Sequence, residues 1–310
     1  MICICQKKAV PLHPRSAKLK FMNVIIRSIA SQLEAVYPAD EAEALAWWVA
    51  EETSGLTRTQ LQFGCKDTTF LRDTQEIIDR LLHFEPVQYI FGHTLWNGLD
   101  LKVTSATLIP RPETAELVEE IIKSKVESQK SKVRVLDIGT GSGCIAIALK
   151  KRRPEWQVTG IDISAEAIVV ARENAARNNV EVNFLVADIL SDETEGNDQI
   201  VHDQMVHIVV SNPPYIRESE KSSMKPNVLN HEPSSALFVP DDDPLRFYRR
   251  IASLRLGRYL FFEINENLSD ETGDLLRSLG YTDIRLSHDL YGKPRIIQAQ
   301  LPDDCTASPK

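Results

Sequence analysis

Asn212-Pro213-Pro214-Tyr215 follow the apolar run Ile208-Val209-Val210-Ser211. An apolar strand that ends this way brings a side-chain amide and proline-fixed carbonyls to the edge of a sheet. The Asn oxygen and those carbonyls all accept hydrogen bonds from an NH2 group. That suits chemistry on a planar, conjugated nitrogen, such as a carboxamide or an adenine amine. The lone pair of such a nitrogen is delocalised, which makes it a poor nucleophile. Acceptors that hold both of its hydrogens localise the lone pair and aim it at an electrophile.

A second constellation lies upstream. Asp137-Ile138-Gly139-Thr140-Gly141-Ser142-Gly143 follows a strand pattern and opens a helix. Glycines make the tight turn and let the backbone approach a ligand closely. Asp162, nineteen residues after Gly143, ends the next strand and is placed to accept two ribose hydroxyls. A glycine turn with a later acid also describes nicotinamide dinucleotide binders. Here the spacing is Gly-x-Gly-x-Gly, not Gly-x-Gly-x-x-Gly, and an acid stands two residues before the first glycine. Both features resemble motif I of class I S-adenosylmethionine methyltransferases. That resemblance implies that the amino-acid moiety of the cofactor lies by the glycines. Ala187-Asp188-Ile189 closes the third strand. In such a fold Asp188 would bond the adenine amine and Ile189 would pack on the ring. An ordinary strand-end acid and a core Ile fit these positions nearly as well.

The elements needed to carry these residues are legible from residue 132 onward. Strand patterns fall at 133–138, 158–161, 182–186, 207–211 and 260–264, with helices at 144–151, 165–178, 244–254 and 270–279. Strands at 281–286 and 294–301 close the series. Such alternation predicts an α/β, doubly wound, Rossmann-like domain: a parallel sheet with an antiparallel edge. Upstream, Val24, Ile25, Ile29, Leu33 and Val36 recur at helical steps. Asp40 is expected to cap the next helix, and short helices are expected at 57–62 and 74–83. Together these form a helical bundle. Between the two regions, Tyr89-Ile90-Phe91 and 99–103 read as two strands, with Asn97-Gly98 as a turn signal. Pro110-Arg111-Pro112 interrupts regular structure before a helix at 113–125.

Taken with the glycine turn and Asp162, Asn212-Pro213-Pro214-Tyr215 is shared by two families: adenine-N6 nucleic-acid methyltransferases and protein glutamine methyltransferases. Flanking segments separate them. Pro86-Val87-Gln88-Tyr89-Ile90-Phe91-Gly92, Leu108-Ile109-Pro110-Arg111-Pro112-Glu113-Thr114, His231-Glu232-Pro233 with Ala236-Leu237, and Gly292-Lys293-Pro294-Arg295 closely resemble the HemK/PrmC family. The resemblance runs from about residue 22 to 301. It implies transfer of a methyl group from S-adenosylmethionine to the Gln of the Gly-Gly-Gln motif in class I peptide-chain release factors. It implies cofactor contacts from Gly139, Thr140, Gly141, Ser142, Gly143, Asp162, Asp188, Ile189 and Asn212. Asn212, Pro213, Pro214 and Tyr215 would bind the target and perform the catalysis. Two departures are visible: Ala115 where the family has an acid, and Asn265 where it has Gly.

The expected division is a disordered extension at 1–21, a recognition bundle at 22–85, a hairpin linker at 86–112, the methyltransferase domain at 113–301 and a disordered tail at 302–310. Residues 1–33 contain no acid but six Lys and Arg. They read as a targeting peptide or, preferably, as an extension ahead of an internal start at Met22. The net charge of -8 argues against a broad nucleic-acid footprint, and no direct nucleic-acid substrate is expected. No apolar run reaches the roughly 18–20 residues that span a bilayer, so no membrane partner is expected. The five scattered cysteines include no Cys-x-x-Cys pair, which suits a reducing cytoplasm and no metal. A monomer is expected. Trp47 and Trp48 read as packing, Cys144 as a small helix residue, and Arg111 as either a solvated charge or part of the site entrance.

Overall fold

The computed structural model of the chain describes residues 14–64, 74–124, 133–191 and 205–302, with side chains from residue 24 except at 63–64. The chain divides into two compact units, Met1–Phe91 and Gly92–Lys310. The first is helical: α1 (Pro14–Leu33), α2 (Ala39–Ser54), α3 (Arg58–Gly64), α4 (Thr74–Leu82) and α5 (Val87–Phe91). Its core joins Ile26, Ile29 and Leu33 to Ala42, Ala46, Trp47, Val49, Leu61, Ile78 and Leu81. Trp47 is thus a packing residue, and the Arg58 guanidinium lies 4.5 Å from its ring centroid.

Three local readings change here. The helix starts at Pro14, so residues 14–21 are helical in backbone, while residues 1–13 lie outside the described ones. Asp40 does not cap α2: Pro38 holds that position, and Asp40 sits in the first turn, where its charge favours the helix dipole. Tyr89-Ile90-Phe91 is helix, not strand. The carbonyl of Pro86 accepts from the amides of Tyr89 (2.9 Å) and Ile90 (3.1 Å), and Gly92 at φ 75° ends the turn. Local hydrogen bonding there overrides the strand preference of aromatic and β-branched residues.

The hairpin belongs to the second unit. It pairs β1 (His93–Trp96) with β2 (Leu99–Lys102), around Asn97 and Gly98 at φ 48° and 75°. Trp96, Leu99 and Leu101 are buried in this unit's core. There follow α6 (Pro112–Lys123), β3 (Arg134–Ile138), α7 (Cys144–Arg152), β4 (Gln157–Asp162), α8 (Ala165–Arg177), β5 (Asn183–Val186) and β6 (Val206–Ser211). An irregular stretch holds β7 (Ile216–Arg217), α9 (Pro226–His231) and β8 (Phe238–Val239). The chain closes with α10 (Arg246–Ser253), β9 (Gly257–Glu263), α11 (Ser269–Ser278), β10 (Thr282–His288) and β11 (Pro294–Gln300).

Seven strands form one sheet in the order β10-β11-β9-β6-β3-β4-β5. β5, β4, β3, β6 and β9 run parallel; β11 is antiparallel to β9, and β10, antiparallel to β11, runs in the direction of the other five. Side chains of β6 and β9 alternate between two cores. Ile208, Val210 and Phe261 enter one; Val209, Leu260 and Phe262 enter the other. Burial of both faces explains why these strands read as unbroken apolar runs. The parallel order has a functional consequence: Ile138, Asp162, Val186, Ser211 and Glu263 all end at the same sheet edge, where such folds bind ligands.

Asn174 on α8 locks this edge from below. Its Oδ1 accepts from the Lys102 amide at 2.6 Å, and its Nδ2 donates to the carbonyls of Lys102 and Ser142, each at 2.9 Å. One fully buried side chain therefore ties the hairpin to the glycine turn. Asn174→Ala would leave several of these groups unpaired, so it is expected to cost about 2–4 kcal/mol. Urea unfolding checks this; a loss under about 0.5 kcal/mol would show that water replaces the side chain.

Candidate active site

The glycine turn between β3 and α7 needs its special backbone. Gly139 and Gly141 adopt φ of 71° and 54°, and a Cβ at either would meet nothing within 4 Å. The space in front of them is open, which leaves a bare backbone cradle. Gly143 serves differently. A Cβ there would lie 3.0 Å from Ile147 Cδ1 and 3.1 Å from Ala171 Cβ, so it allows α7 to pack closely.

Asp162 at the end of β4 braces the cradle. Its Oδ2 accepts from the Gly141 amide at 2.8 Å and its Oδ1 from the Ser164 amide at 2.9 Å. Burial raises its pKa, with those backbone bonds opposing. Each carboxylate oxygen retains a lone pair for a ligand hydroxyl. Asp188 accepts from the Leu190 amide at 2.8 Å, forming the turn after β5. Both acids line one pocket with Gly139, Thr140, Gly141, Ser142, Ile189, Asn212, Pro213 and Pro214. Its volume of about 250 Å³ far exceeds the 10–15 Å³ that a single water needs. Gly143 and Tyr215 do not line it.

The strand tip after β6 carries an oriented amide. Asn212 Nδ2 donates to Thr114 Oγ1 at 3.1 Å. Thr114 in turn donates to Glu263 Oε2 at 2.7 Å, and the Tyr215 hydroxyl donates to Glu263 Oε1 at 3.1 Å. A hydroxyl has one proton, and Thr114 gives it to the carboxylate, so toward Asn212 it only accepts. That orients the Asn212 amide with its NH2 toward Thr114 and leaves Oδ1 uncommitted on a residue that lines the pocket. Burial raises the pKa of Glu263, with the Thr114 and Tyr215 bonds and the Arg295 charge opposing. Burial likewise raises the Tyr215 hydroxyl.

The entrance is built by residues the sequence reading left open. Arg111 pairs with Glu232 at 2.6 Å, and Glu232 also accepts from the Ile109 amide at 3.1 Å. Arg111 lines the pocket with Pro233, Ser235 and Ala236, so it is an entrance residue and not a solvated charge. Cys144 is buried and its thiol is pushed up to about 12 by burial, which removes it as a nucleophile. Asn265 donates to the Tyr215 carbonyl at 3.1 Å and accepts from the Asn267 amide at 3.0 Å. Its φ of -68° needs no glycine. Ala115 packs against the core. Among the described residues no group of His, Cys, Asp and Glu could hold a metal, and no helix is long and apolar enough to cross a membrane. Cys3 and Cys5 lie outside the described residues.

The cradle fits an S-adenosylmethionine-sized cofactor by its donor set. Asp162 and Asp188 offer carboxylates, and the glycine turn offers open backbone. Beside the turn, Asp137 Oδ2 accepts from Thr140 at 2.6 Å. Burial, opposed by the Thr140 bond, pushes Asp137 up to about 7. The folded state thus holds this proton more tightly. The stability it contributes is complete below about pH 4 and is lost as pH rises through about 7. Asp137→Asn is expected to flatten that decline. From about pH 4 to about pH 8 the wild type should lose on the order of a few kcal/mol more than the variant, read from urea midpoints. Identical declines would contradict the assignment.

Comparison with known proteins agrees with this geometry. A family model described as methyltransferase small domain matches residues 114–232, and the PrmC N-terminal domain matches residues 25–92. A release factor glutamine methyltransferase of Bacteroides thetaiotaomicron is 41% identical over 290 residues, covering 90% of this chain and 99% of its own. One from Flavobacterium psychrophilum is 40% identical over 276 residues, covering 86% and 94%. Among solved structures, the hMettl16 catalytic domain in complex with MAT2A 3'UTR hairpin 6 superposes with a TM-score of 0.52. It is 17% identical over 67% of this chain and 77% of its own, a likeness of fold alone. With such identity across nearly the full length of both chains, this protein belongs to the release factor glutamine methyltransferase family.

Proposed function

We propose that this protein transfers the methyl group of S-adenosylmethionine to the side-chain nitrogen of the Gln in the Gly-Gly-Gln motif of class I peptide-chain release factors. The observation that carries the amino-methyl chemistry is the oriented amide of Asn212, one N–H of which donates to Thr114, and the kinship with release factor glutamine methyltransferases favours glutamine over adenine. The Asn212 oxygen and the Pro213 carbonyl are acceptors, and a carboxamide NH2 brings the two donors that suit them.

When bound, S-adenosylmethionine supplies a methyl on a cationic sulfur, open to direct displacement by nitrogen. The chain's own residues do the rest. Gly139, Thr140, Gly141 and Ser142 cradle the amino-acid part, Asp162 accepts the ribose hydroxyls, and Asp188 and Ile189 receive the adenine. Asn212 Oδ1 and the Pro213 carbonyl accept the two hydrogens of the target NH2. They hold the nitrogen in line and stabilise the positive charge that grows on it. Pro214 stiffens the tip. Tyr215, anchored on Glu263, backs the motif rather than facing the pocket. Positioning of this kind contributes up to about 7–11 kcal/mol. The helical first unit is assigned to the rest of the release factor, and the setting is the cytoplasm, with the protein acting as a monomer.

The test is to incubate the protein with labelled cofactor and, separately, a class I release factor or adenine-bearing DNA. Label on the Gly-Gly-Gln glutamine supports the reading; label on DNA alone overturns it. Asn212→Ala is expected to lower kcat by about 10²–10³ while leaving cofactor affinity measurable by calorimetry. Asp162→Ala is expected to raise the cofactor Kd about ten- to a hundredfold, the loss of one or two charge-assisted hydrogen bonds. Unchanged cofactor affinity would remove the ribose assignment.

A further inference from the structure

Glu263 is given only the anchoring of Tyr215 above, yet it is among the most buried charges of the second unit, at 1% exposure. It ends β9, one strand over from β6, which places it beside the strand tip that carries Asn212. Each of its oxygens receives one hydroxyl: Thr114 from the first turn of α6, and Tyr215 from the catalytic motif itself. The Tyr248 hydroxyl donates to its main-chain carbonyl at 2.9 Å. A buried carboxylate is costly unless it is fully hydrogen-bonded, and isosteric apolar packing would be as stable or more so. Its bonds to Thr114 and Tyr215 give it a use beside stability: they orient groups next to Asn212.

We infer that Glu263 is the positioning residue that sets the hydrogen-bond polarity of the methyl-accepting site, by drawing the Thr114 proton away from Asn212. This rests on the proposed amide chemistry. With both oxygens acting as acceptors, the Thr114 hydroxyl points at Glu263 and offers Asn212 a lone pair. Asn212 then turns its NH2 to Thr114 and its oxygen to the substrate. The same carboxylate holds the Tyr215 hydroxyl, and Asn265, two residues on, holds the Tyr215 carbonyl at 3.1 Å, so the last residue of the motif is pinned at both its side chain and its backbone. A Gln at 263 offers one acceptor where two hydroxyls need one each. In one of its orientations it donates to Thr114, which reverses that hydroxyl and lets Asn212 present NH2 to an NH2.

Three variants test this: Glu263→Gln, Thr114→Val and the pair together. The assay uses a class I release factor and S-adenosylmethionine, with S-adenosylmethionine affinity read separately by calorimetry and the Asn212 side-chain amide followed by NMR. Each single variant is expected to lose about ten- to a hundredfold in kcat, as for small misplacements of a reacting group. The cofactor Kd should stay within about twofold of wild type. The double variant should be no slower than the slower single one, because both break the same relay. The Asn212 amide resonances should shift in all three. Wild-type kcat in either single variant, additive losses in the pair, or an unmoved Asn212 signal would each overturn the inference. If the wild type itself leaves the release factor unmethylated, it is the proposed function that falls, not the relay, which the Asn212 signal reports independently.

Discussion

A single hydroxyl proton, that of Thr114, decides which way the Asn212 amide faces. An Asn side chain is ambivalent: one end donates and the other accepts, and free in solution it presents either. Thr114 removes the ambiguity because its own proton is spent on Glu263. The rest of the second unit can be understood as what brings these three residues together. β6 and β9 are neighbours in the parallel sheet, so Asn212 and Glu263 emerge at the same edge. Pro112 opens α6 with the fixed φ that a first helical turn needs, which puts Thr114 at the start of the helix. The Trp96 indole of the hairpin donates to the Arg111 carbonyl at 2.7 Å and holds that start in place.

The cofactor side of the pocket rests on a different device, backbone held by side chains. Asp162 spends hydrogen bonds on the Gly141 and Ser164 amides before any ligand arrives. Asn174 holds the Ser142 carbonyl from the other side. The glycines that make the cradle possible also make it floppy, since glycine has the most conformational freedom to lose. Asp162 and Asn174 offset that freedom, so the loop is shaped in advance of binding.

Much of this was legible in the sequence, and the limits follow from distance along the chain. The alternating strands and helices from residue 132 on carry a local periodic signal, and the observed elements fall within a few residues of those read. The glycine turn and the Asn-Pro-Pro-Tyr tip are also local, so their residue types announce them. The relay is not local. Asn212 and Thr114 are 98 positions apart, Thr114 and Glu263 are 149 apart, and Lys102 and Asn174 are 72 apart. No spacing rule links such residues; only the fold does. Gly143 was grouped with the cradle by spacing, but three-dimensional packing gives it to α7. Tyr89-Ile90-Phe91 shows the opposite limit: strong strand formers sit in a turn held by local hydrogen bonds to the Pro86 carbonyl and ended by Gly92 at φ 75°.

The most direct test of the account is a structure with S-adenosylhomocysteine and a release-factor Gly-Gly-Gln segment bound together. The account predicts the glutamine nitrogen within about 2.7–3.2 Å of both Asn212 Oδ1 and the Pro213 carbonyl, on the pocket side and facing the cofactor sulfur. A glutamine nitrogen seated elsewhere, or an Asn212 amide that turns its NH2 toward the substrate, would contradict it.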